Sequence, residues 1–427
     1  MRFLRMRPCV QVCLFSVLGI GCAWDAFAVS ANPAAILIPV ETRPHVRDLG
    51  IIIGRYSPGV MNAITDVQGV KVGHVTIHEG EGALQVGHGP VRTGVTVIIP
   101  REDVWHHKVP AGAFVLNGTG EMTGLAWVAE SGFLEYPIAL TNTLNVPRVA
   151  DGVMSWMIQR YPDIGISDDT LTPVVAECDD SRLNDSQGRH VSPEDVIRAL
   201  ETATIGPVPE GSVGAGTGMV SYQFKGGIGT ASRVLPSEEG GYRVGVLVNA
   251  NHGRRHELMI AGVPVGQVYN TEMATVFPKN FEDSTVAALG ELPAFPQRRQ
   301  DSGSIIIIIA TDAPLDARQL SRLARRATIG LARTGSISHH GSGDFVLAFS
   351  TGNVIPHYPE ERTFFMAHLA DTHMNPLFQA TVEATEEAIL NALLQATTVT
   401  GRDGRRVEAI SIDKLRSILK AYHAQTP

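Results

Sequence analysis

Cysteine is scarce in this chain and unevenly placed: four in 427 residues, at Cys9, Cys13, Cys22 and Cys178. Three fall in the first 22 residues, so the body of the protein carries one and no internal disulfide can staple it. Charge is also modest, with 18% of residues charged, 44% hydrophobic and a net charge of −8. A chain of this length and composition rests on its hydrophobic core. Its acidic balance argues against nucleic acid or an anionic membrane surface as partner. The N-terminal apolar run is shorter than the about 20 residues that a transmembrane helix needs. There is no internal repeat and no low-complexity tract. The stretch "GAGTGMVSYQFKGGIG" lacks the G-x-x-x-x-G-K-[ST] spacing and the third glycine of a dinucleotide fingerprint. It reads as tight turns, with Lys225 structural or pocket-lining. There are 15 histidines, among them the pairs His106–His107 and His339–His340 and the spaced pair His252 and His256. No H-E-x-x-H is present, and a zinc site needs three or four converging ligands. No metal and no cofactor is expected; His339 or His340 lining a site is the better reading.

What the chain does have begins at its N-terminus. Arg2, Arg5 and Arg7 precede a mostly apolar stretch from Cys9 to Cys22, and Ala26-Phe27-Ala28 is an A-x-A-like cleavage site. Residues 1–28 read as a signal peptide, with cleavage after Ala31 as the alternative, so a periplasmic or secreted protein is expected. Gly19 stands where a lipoprotein signal usually has a branched apolar residue, which argues against lipidation at Cys22. Removal of residues 1–28 takes Lys+Arg from 35 to 32, Asp+Glu from 43 to 42 and the net charge from −8 to −10.

Strand and helix patterns interleave along the rest. Residues 46–100 read as strands and turns. "AGAFVLNG" and "YPIALTNT" read as strands flanking a short helix in "EMTGLAWVAESG". Ser192-Pro193-Glu194-Asp195 is a helix start, with serine at the cap, proline first and an acid third. That helix is expected to reach about Ala203. "YRVGVLVNANHG" is a strand ending in a turn. Residues 280–303 mix charge with Pro293 and Pro296 and read as an exposed loop. Helical spacing of Leu320, Leu323, Ala324, Ala327 and Leu331 predicts a helix over about 315–333. "DFVLAFSTGN" is a further strand, 376–396 an amphipathic helix, and a last helix runs over about 411–423. The class is α/β or α+β with buried sheets.

Ile305 to Ile309 form the most hydrophobic strand, and Ser304 stands at its mouth behind Gly303. A glycine tolerates strained backbone that a Cβ would resist. A serine hydroxyl that attacks the preceding glycine's carbonyl gives an ester that water can open. The new chain begins at Ser304, and its α-amine, with a pKa near ~8, can serve as base for its own hydroxyl. A rigid strand would hold both groups in place.

Together with the motifs that flank it, this stretch resembles a known family. "AITDVQGVKVGHVTI", "PIALTNT", "PVVAE", "LND", "EGSVGAGTGMVSYQFKGGIGTASR", "VGVLVNANHG", "GSIIIIIATDAPL" and "RTGSISHHGSGDFVLAFST" look like the self-cleaving L-aminopeptidase/D-esterase and β-peptidyl aminopeptidase family, in its order, over roughly residues 45–400. The resemblance implies a four-layer αββα sandwich like that of N-terminal nucleophile hydrolases, differently connected. It implies self-cleavage into an α chain, 29–303, and a β chain, 304–427, that stay together as one domain. Oligomers of such pairs, a tetramer for preference, are implied too. It makes Ser304 the nucleophile and Gly303 the residue before the cut. Ser342 and Asp344 match the serine and acid that hydrogen-bond around the nucleophile and its amine. Asn251 matches an oxyanion donor, and Glu177 an acid that receives the substrate's ammonium. The family often has tyrosine two residues after that glutamate; Asp179 stands here, with Asp180 beside it. An acid replaces a phenol as donor only if its pKa is strongly raised. So either Asn251 and backbone N–H groups serve the oxyanion, or the pocket differs.

The reading that results is a metal-free exported serine aminopeptidase acting on short peptides, amides or esters with a free amino group. Two alternatives stand beside it. One is an acyltransferase of the ornithine acetyltransferase type, which usually uses threonine and is usually intracellular. The other is a non-catalytic exported binding protein on the same fold.

Overall fold

The computed structural model describes residues 43–269 and 303–423; the signal segment and nearly all of the expected 280–303 loop lie outside them. In chain order the elements are β1 (Lys71–Glu79), β2 (Val91–Ile99), β3 (His107–Gly118), α1 (Leu125–Ser131), β4 (Phe133–Leu134), β5 (Ile138–Asn142), α2 (Val146–Arg160), β6 (Val174–Cys178) and α3 (Pro193–Glu201). There follow β7 (Val220–Ser221), β8 (Phe224–Lys225), β9 (Gly227–Val234), β10 (Arg243–Asn251), β11 (Ser304–Thr311), α4 (Ala317–Arg333), β12 (Gly343–Ser350), β13 (Ile355–Pro356), α5 (Asn375–Leu394) and α6 (Ile412–His423). α3 starts on the capping box read from Ser192 and Asp195 and ends at Glu201, short of Ala203.

The strands form two main sheets. One has the order β1-β2-β5-β6; the other runs β13-β3-β12-β11-β10-β9, with β4 pairing β3. The alternation of the isoleucine strand explains how they stack. Ile306 and Ile308 join the core that holds the inner residues of both sheets together with α2 and α3. Ile305, Ile307 and Ile309 join the second core, built with α4, α5 and α6. A strand buried on both faces has no polar side to spare, which is why the run is continuous. Each isoleucine contributes about 2 kcal/mol of burial. The layers are therefore helix, sheet, sheet, helix: the αββα sandwich.

α5 departs from the amphipathic expectation. Every residue from Ala380 to Leu394 is buried, Glu383 and Glu387 among them. The reason is the stretch from Arg43 to Asn62, which lies over the face that would otherwise meet water. Glu383 accepts from the backbone N–H groups of Arg55 (3.0 Å) and Tyr56 (3.1 Å). Glu387 accepts from Arg47 (2.7 Å) and from Asn62 (2.6 Å). The fully buried Arg233 of β9 faces both acids, at 3.2 Å from Glu383 and 2.6 Å from Glu387. The carboxylates are thus paired and hydrogen-bonded, as buried charge requires. Arg233→Met should strand both acids and destabilise the protein by about 3–5 kcal/mol. Thermal unfolding tests this; a midpoint within about 2 °C of the parent would refute it.

Candidate functional site

Ser304 is the first residue of β11, the strand between β10 and β12. β10 runs antiparallel and sets Asn251 opposite Ser304; β12 runs parallel and sets Gly343 opposite it. Strand alternation gives Ser304 the face of Ile306 and Ile308, toward the other sheet. Its hydroxyl is nearly buried, and Oγ accepts from the Gly343 N–H at 3.2 Å. The same N–H reaches the Gly303 carbonyl at 3.1 Å. One donor therefore addresses both the serine oxygen and the carbonyl that precedes it.

Ser342 and Asp344 flank that donor and share a face, as the period of two requires. They bond each other, Ser342 Oγ donating to Asp344 Oδ1 at 2.6 Å. What reaches Ser304 is the peptide N–H between them, because Gly343 takes the opposite face. Asp344 Oδ2 is buried without a partner. Burial raises the Asp344 carboxyl above its ordinary range, against the hydroxyls of Ser342 and Ser338, the Ile305 N–H and His339. His339 bonds Glu257 at 2.7 Å, and its carbonyl accepts from Asn117 and from the Ser342 N–H. His339 thus ties the loop before β12 to the end of β3.

Glu177 comes from the other sheet, on β6 beside Thr141 of β5. It is buried, at 3% exposure, not the surface acid that a strand terminus alone suggests. Its Oε1 accepts from the Glu121 N–H at 3.1 Å and its Oε2 from the Thr143 hydroxyl. Burial raises its carboxyl, the two hydrogen bonds oppose that, and the charges of Asp179 and Glu121 add to it. Gly120, at φ 148°, brings the loop after β3 so close that a Cβ would lie 2.6 Å from Glu177 Oε1. Next to Glu177, Cys178 points to β10, its Sγ 3.6 Å from the Asn249 carbonyl. Its thiol is pushed well up by complete burial. A thiol buried this completely packs as a core residue.

Asn251 is gripped from two sides. Its Oδ1 accepts from the Val220 N–H at 2.7 Å, and its Nδ2 donates to the Asp179 carbonyl at 2.9 Å. An amide nitrogen carries two hydrogens, so one remains for a ligand. Asp179 is exposed, and its carboxylate accepts from the Ser181 N–H at 2.8 Å. Its carboxylate caps its own turn, and its carbonyl holds the Asn251 amide. Lys225 is wholly buried and so is not pocket-lining. Sequence reasoning missed Thr143, Val220, Gly343 and the Asp179 carbonyl. Three of these act through backbone atoms, which carry no residue signature. A separate cleft of about 420 Å³, lined by Lys71, Arg101, Trp156 and Tyr161, lies by Ile99 at the far end of the strands from Ser304.

A buried serine at a strand start, a carbonyl sharing its donor and an amide opposite it can support acyl transfer, and the buried Glu177 carboxylate can hold an ammonium. Comparison with known proteins gives the family. The model of peptidase family S58 matches residues 62–407. The chain belongs to peptidase family S58. It is a serine-type aminopeptidase, a hydrolase. Beta-peptidyl aminopeptidase BapA of Sphingosinicella xenopeptidilytica is 46% identical over 379 residues, 88% of this chain and 91% of the relative. A Burkholderia sp. beta-aminopeptidase superposes with a TM-score of 0.76 at 43% identity, over 88% of this chain and 99% of that one. The L-aminopeptidase D-Ala-esterase/amidase of Ochrobactrum anthropi, described as a new variant of the Ntn hydrolase fold, gives 0.77 at 39% identity over 89% and 99%. The αββα architecture of this S58 peptidase is that fold variant.

Gly343 leaves no room for a side chain at the strand crossing. A Cβ there would lie 2.2 Å from the Thr119 carbonyl and 3.3 Å from Ser304 Oγ. Gly343→Ala should therefore push β12 off its register and cost about 10²-fold in peptide hydrolysis, the scale of a 1 Å misplacement. Wild-type turnover in that variant would show that the N–H position is not critical.

Proposed function

We propose that this S58 peptidase is exported, cuts itself between Gly303 and Ser304, and then removes N-terminal residues from short peptides, amides or esters through an acyl-enzyme. The observation that carries the proposal is the Gly343 N–H, which reaches both Ser304 Oγ and the Gly303 carbonyl. In the precursor, Oγ attacks the Gly303 carbonyl carbon and the Gly303–Ser304 C–N bond breaks, leaving an ester. The hydroxyl proton passes to the departing nitrogen, which becomes the free Ser304 α-amine; water then opens the ester to a Gly303 carboxylate and the Ser304 hydroxyl.

In the mature enzyme that amine takes the hydroxyl proton as Oγ attacks the substrate carbonyl, and returns it to the leaving group. The free hydrogen of the Asn251 amide stabilises the oxyanion, an interaction worth about 10²–10³ in rate. Ser342 and Asp344 orient the amine; the unpartnered Asp344 Oδ2 supplies an acceptor at the strand start. Water then releases the acyl group. Glu177 receives the substrate's ammonium, which selects for a free N-terminus. Base, nucleophile and oxyanion donor are all supplied by the chain, so the mechanism requires no metal and no cofactor. The names of two relatives make N-terminal β-amino residues the first substrates to test. The two chains stay together, and four such pairs form the oligomer, in the periplasm or outside the cell.

Denaturing intact mass and N-terminal sequencing test the self-cleavage. Two chains are expected, the smaller beginning Ser-Ile-Ile-Ile, and Ser304→Ala should yield one inactive chain. An uncleaved Ser304→Ala chain with full function would point to a binding role instead.

Glu177 generates a pH prediction. It must be ionised to hold an ammonium, and burial holds its carboxyl above the usual range. kcat/KM should therefore fall as pH drops through that raised value. Thr143→Val removes a bond that favours the carboxylate, so the acidic limb should move to higher pH. Glu177→Gln should raise KM by about 10–100-fold, the worth of a charged hydrogen bond. An unmoved limb in Thr143→Val would mean that another group titrates.

A further inference from the structure

The two groups that grip Asn251 are themselves held by a buried lysine and a buried aspartate that the proposed mechanism leaves unused. Val220 sits on the β7–β8 hairpin, directly opposite Lys225. The Lys225 side chain is wholly buried, and Nζ donates to the Gly216 carbonyl at 2.9 Å and the Gly226 carbonyl at 2.8 Å. Gly226 in turn donates to the Met219 carbonyl, next to Val220. Lysine therefore cross-ties both ends of the segment that presents the Val220 N–H. At the turn of this hairpin, Tyr222 and Gln223 have φ of 51° and 59°, and the Tyr222 N–H donates to the His252 carbonyl. The hairpin is thereby pinned to the end of β10.

The other side is built the same way. The Asp179 carbonyl belongs to the turn that Asp180 anchors. Asp180 is wholly buried and accepts from Asn142 (3.0 Å), Asn184 (3.0 Å) and Ser186 (2.7 Å). Opposite charges in one dry region attract more strongly than at a surface. Asp180's charge opposes the burial that brings Lys225 down to about 7. A lysine whose hydrogen bonds go to neutral carbonyls, with no carboxylate in contact, is an expensive way to tie a hairpin if all that is needed is packing.

We propose that Lys225 and Asp180 are positioning residues that hold the Asn251 amide from its two sides, Lys225 through the Val220 N–H and Asp180 through the Asp179 carbonyl. The inference rests on the reading of Asn251 as the oxyanion donor. An oxyanion donor works only if it is aimed before the charge develops. A swivelling amide would present its oxygen to the oxyanion half of the time. The clamp removes that choice: Oδ1 is committed to a donor and Nδ2 to an acceptor. A free hydrogen on Nδ2 is then always available.

The test compares Lys225→Met, Asp180→Asn and Asn251→Ala with the parent, and each positioning change with Asn251→Ala in combination. Activity is counted per cleaved chain by mass, and folding is checked by thermal unfolding. The expected result is a fall in kcat of about 10–100-fold with KM within about twofold, since the oxyanion exists only in the transition state. In the Asn251→Ala background the same changes should cost under about threefold more, because residues acting through one group are not additive. Losses that multiply, an unchanged kcat, or a folded Lys225→Met chain that does not cleave would each overturn the proposal. So would the failure of both single variants to fold, which would make the pair part of the core. A parent without aminopeptidase activity, or an Asn251→Ala enzyme with full kcat, would instead bring down the reading on which it rests.

Discussion

The row formed by Asn251, Ser304 and Gly343 is the constraint on which the rest of the site depends. It exists because β11 pairs antiparallel with β10 and parallel with β12, in one register. Slipping either neighbour by one residue would turn every side chain of that strand to the other face. The isoleucines prevent this: alternate members are committed to two different cores, and a slip would exchange them. The hydrophobic run and the position of Ser304 are thus one device. Burial fixes the strand, and the strand fixes the oxygen.

The second sheet contributes what the first cannot. Glu177 stands at the end of β6, and Cys178 beside it packs on β10 through the Asn249 carbonyl. The carboxylate is therefore located by sheet stacking. Its burial is costly, and the Thr143 hydroxyl and Glu121 N–H offset part of that cost. The same arrangement recurs around Asp344, whose buried carboxyl is answered mainly by Ser342.

Away from the site, the buried acids of α5 show the same logic used for folding. A helix covered on all sides by β9, α4 and the stretch from Arg43 to Asn62 still carries Glu383 and Glu387. Both are matched by Arg233; Glu383 also takes the Arg55 and Tyr56 N–H groups, and Glu387 the side chains of Arg47 and Asn62. The N-terminal stretch has little regular structure of its own; these acids give it a fixed place. From the sequence alone 376–396 reads as a helix with one wet face, because periodicity does not reveal what will lie across that face.

Local rules carried the sequence a long way. The continuous isoleucines determined a strand buried on both faces, Ser192 and Asp195 determined a helix start, and the period of two put Ser342 and Asp344 together. Ser304 behind Gly303 at a strand mouth was visible before any fold was known. Tertiary structure alone decided that the Gly343 N–H meets Ser304 from 39 residues away, and that Asn251 is clamped by Val220 and by Asp179, 31 and 72 residues distant. It also decided that Asp179 offers a carbonyl where a side-chain role was the question. The physical reason is range. Propensity, capping and alternation act between near neighbours and leave a signature in residue type. Backbone donors and acceptors are the same at every position, and only the packed register of the sheets decides which of them meet.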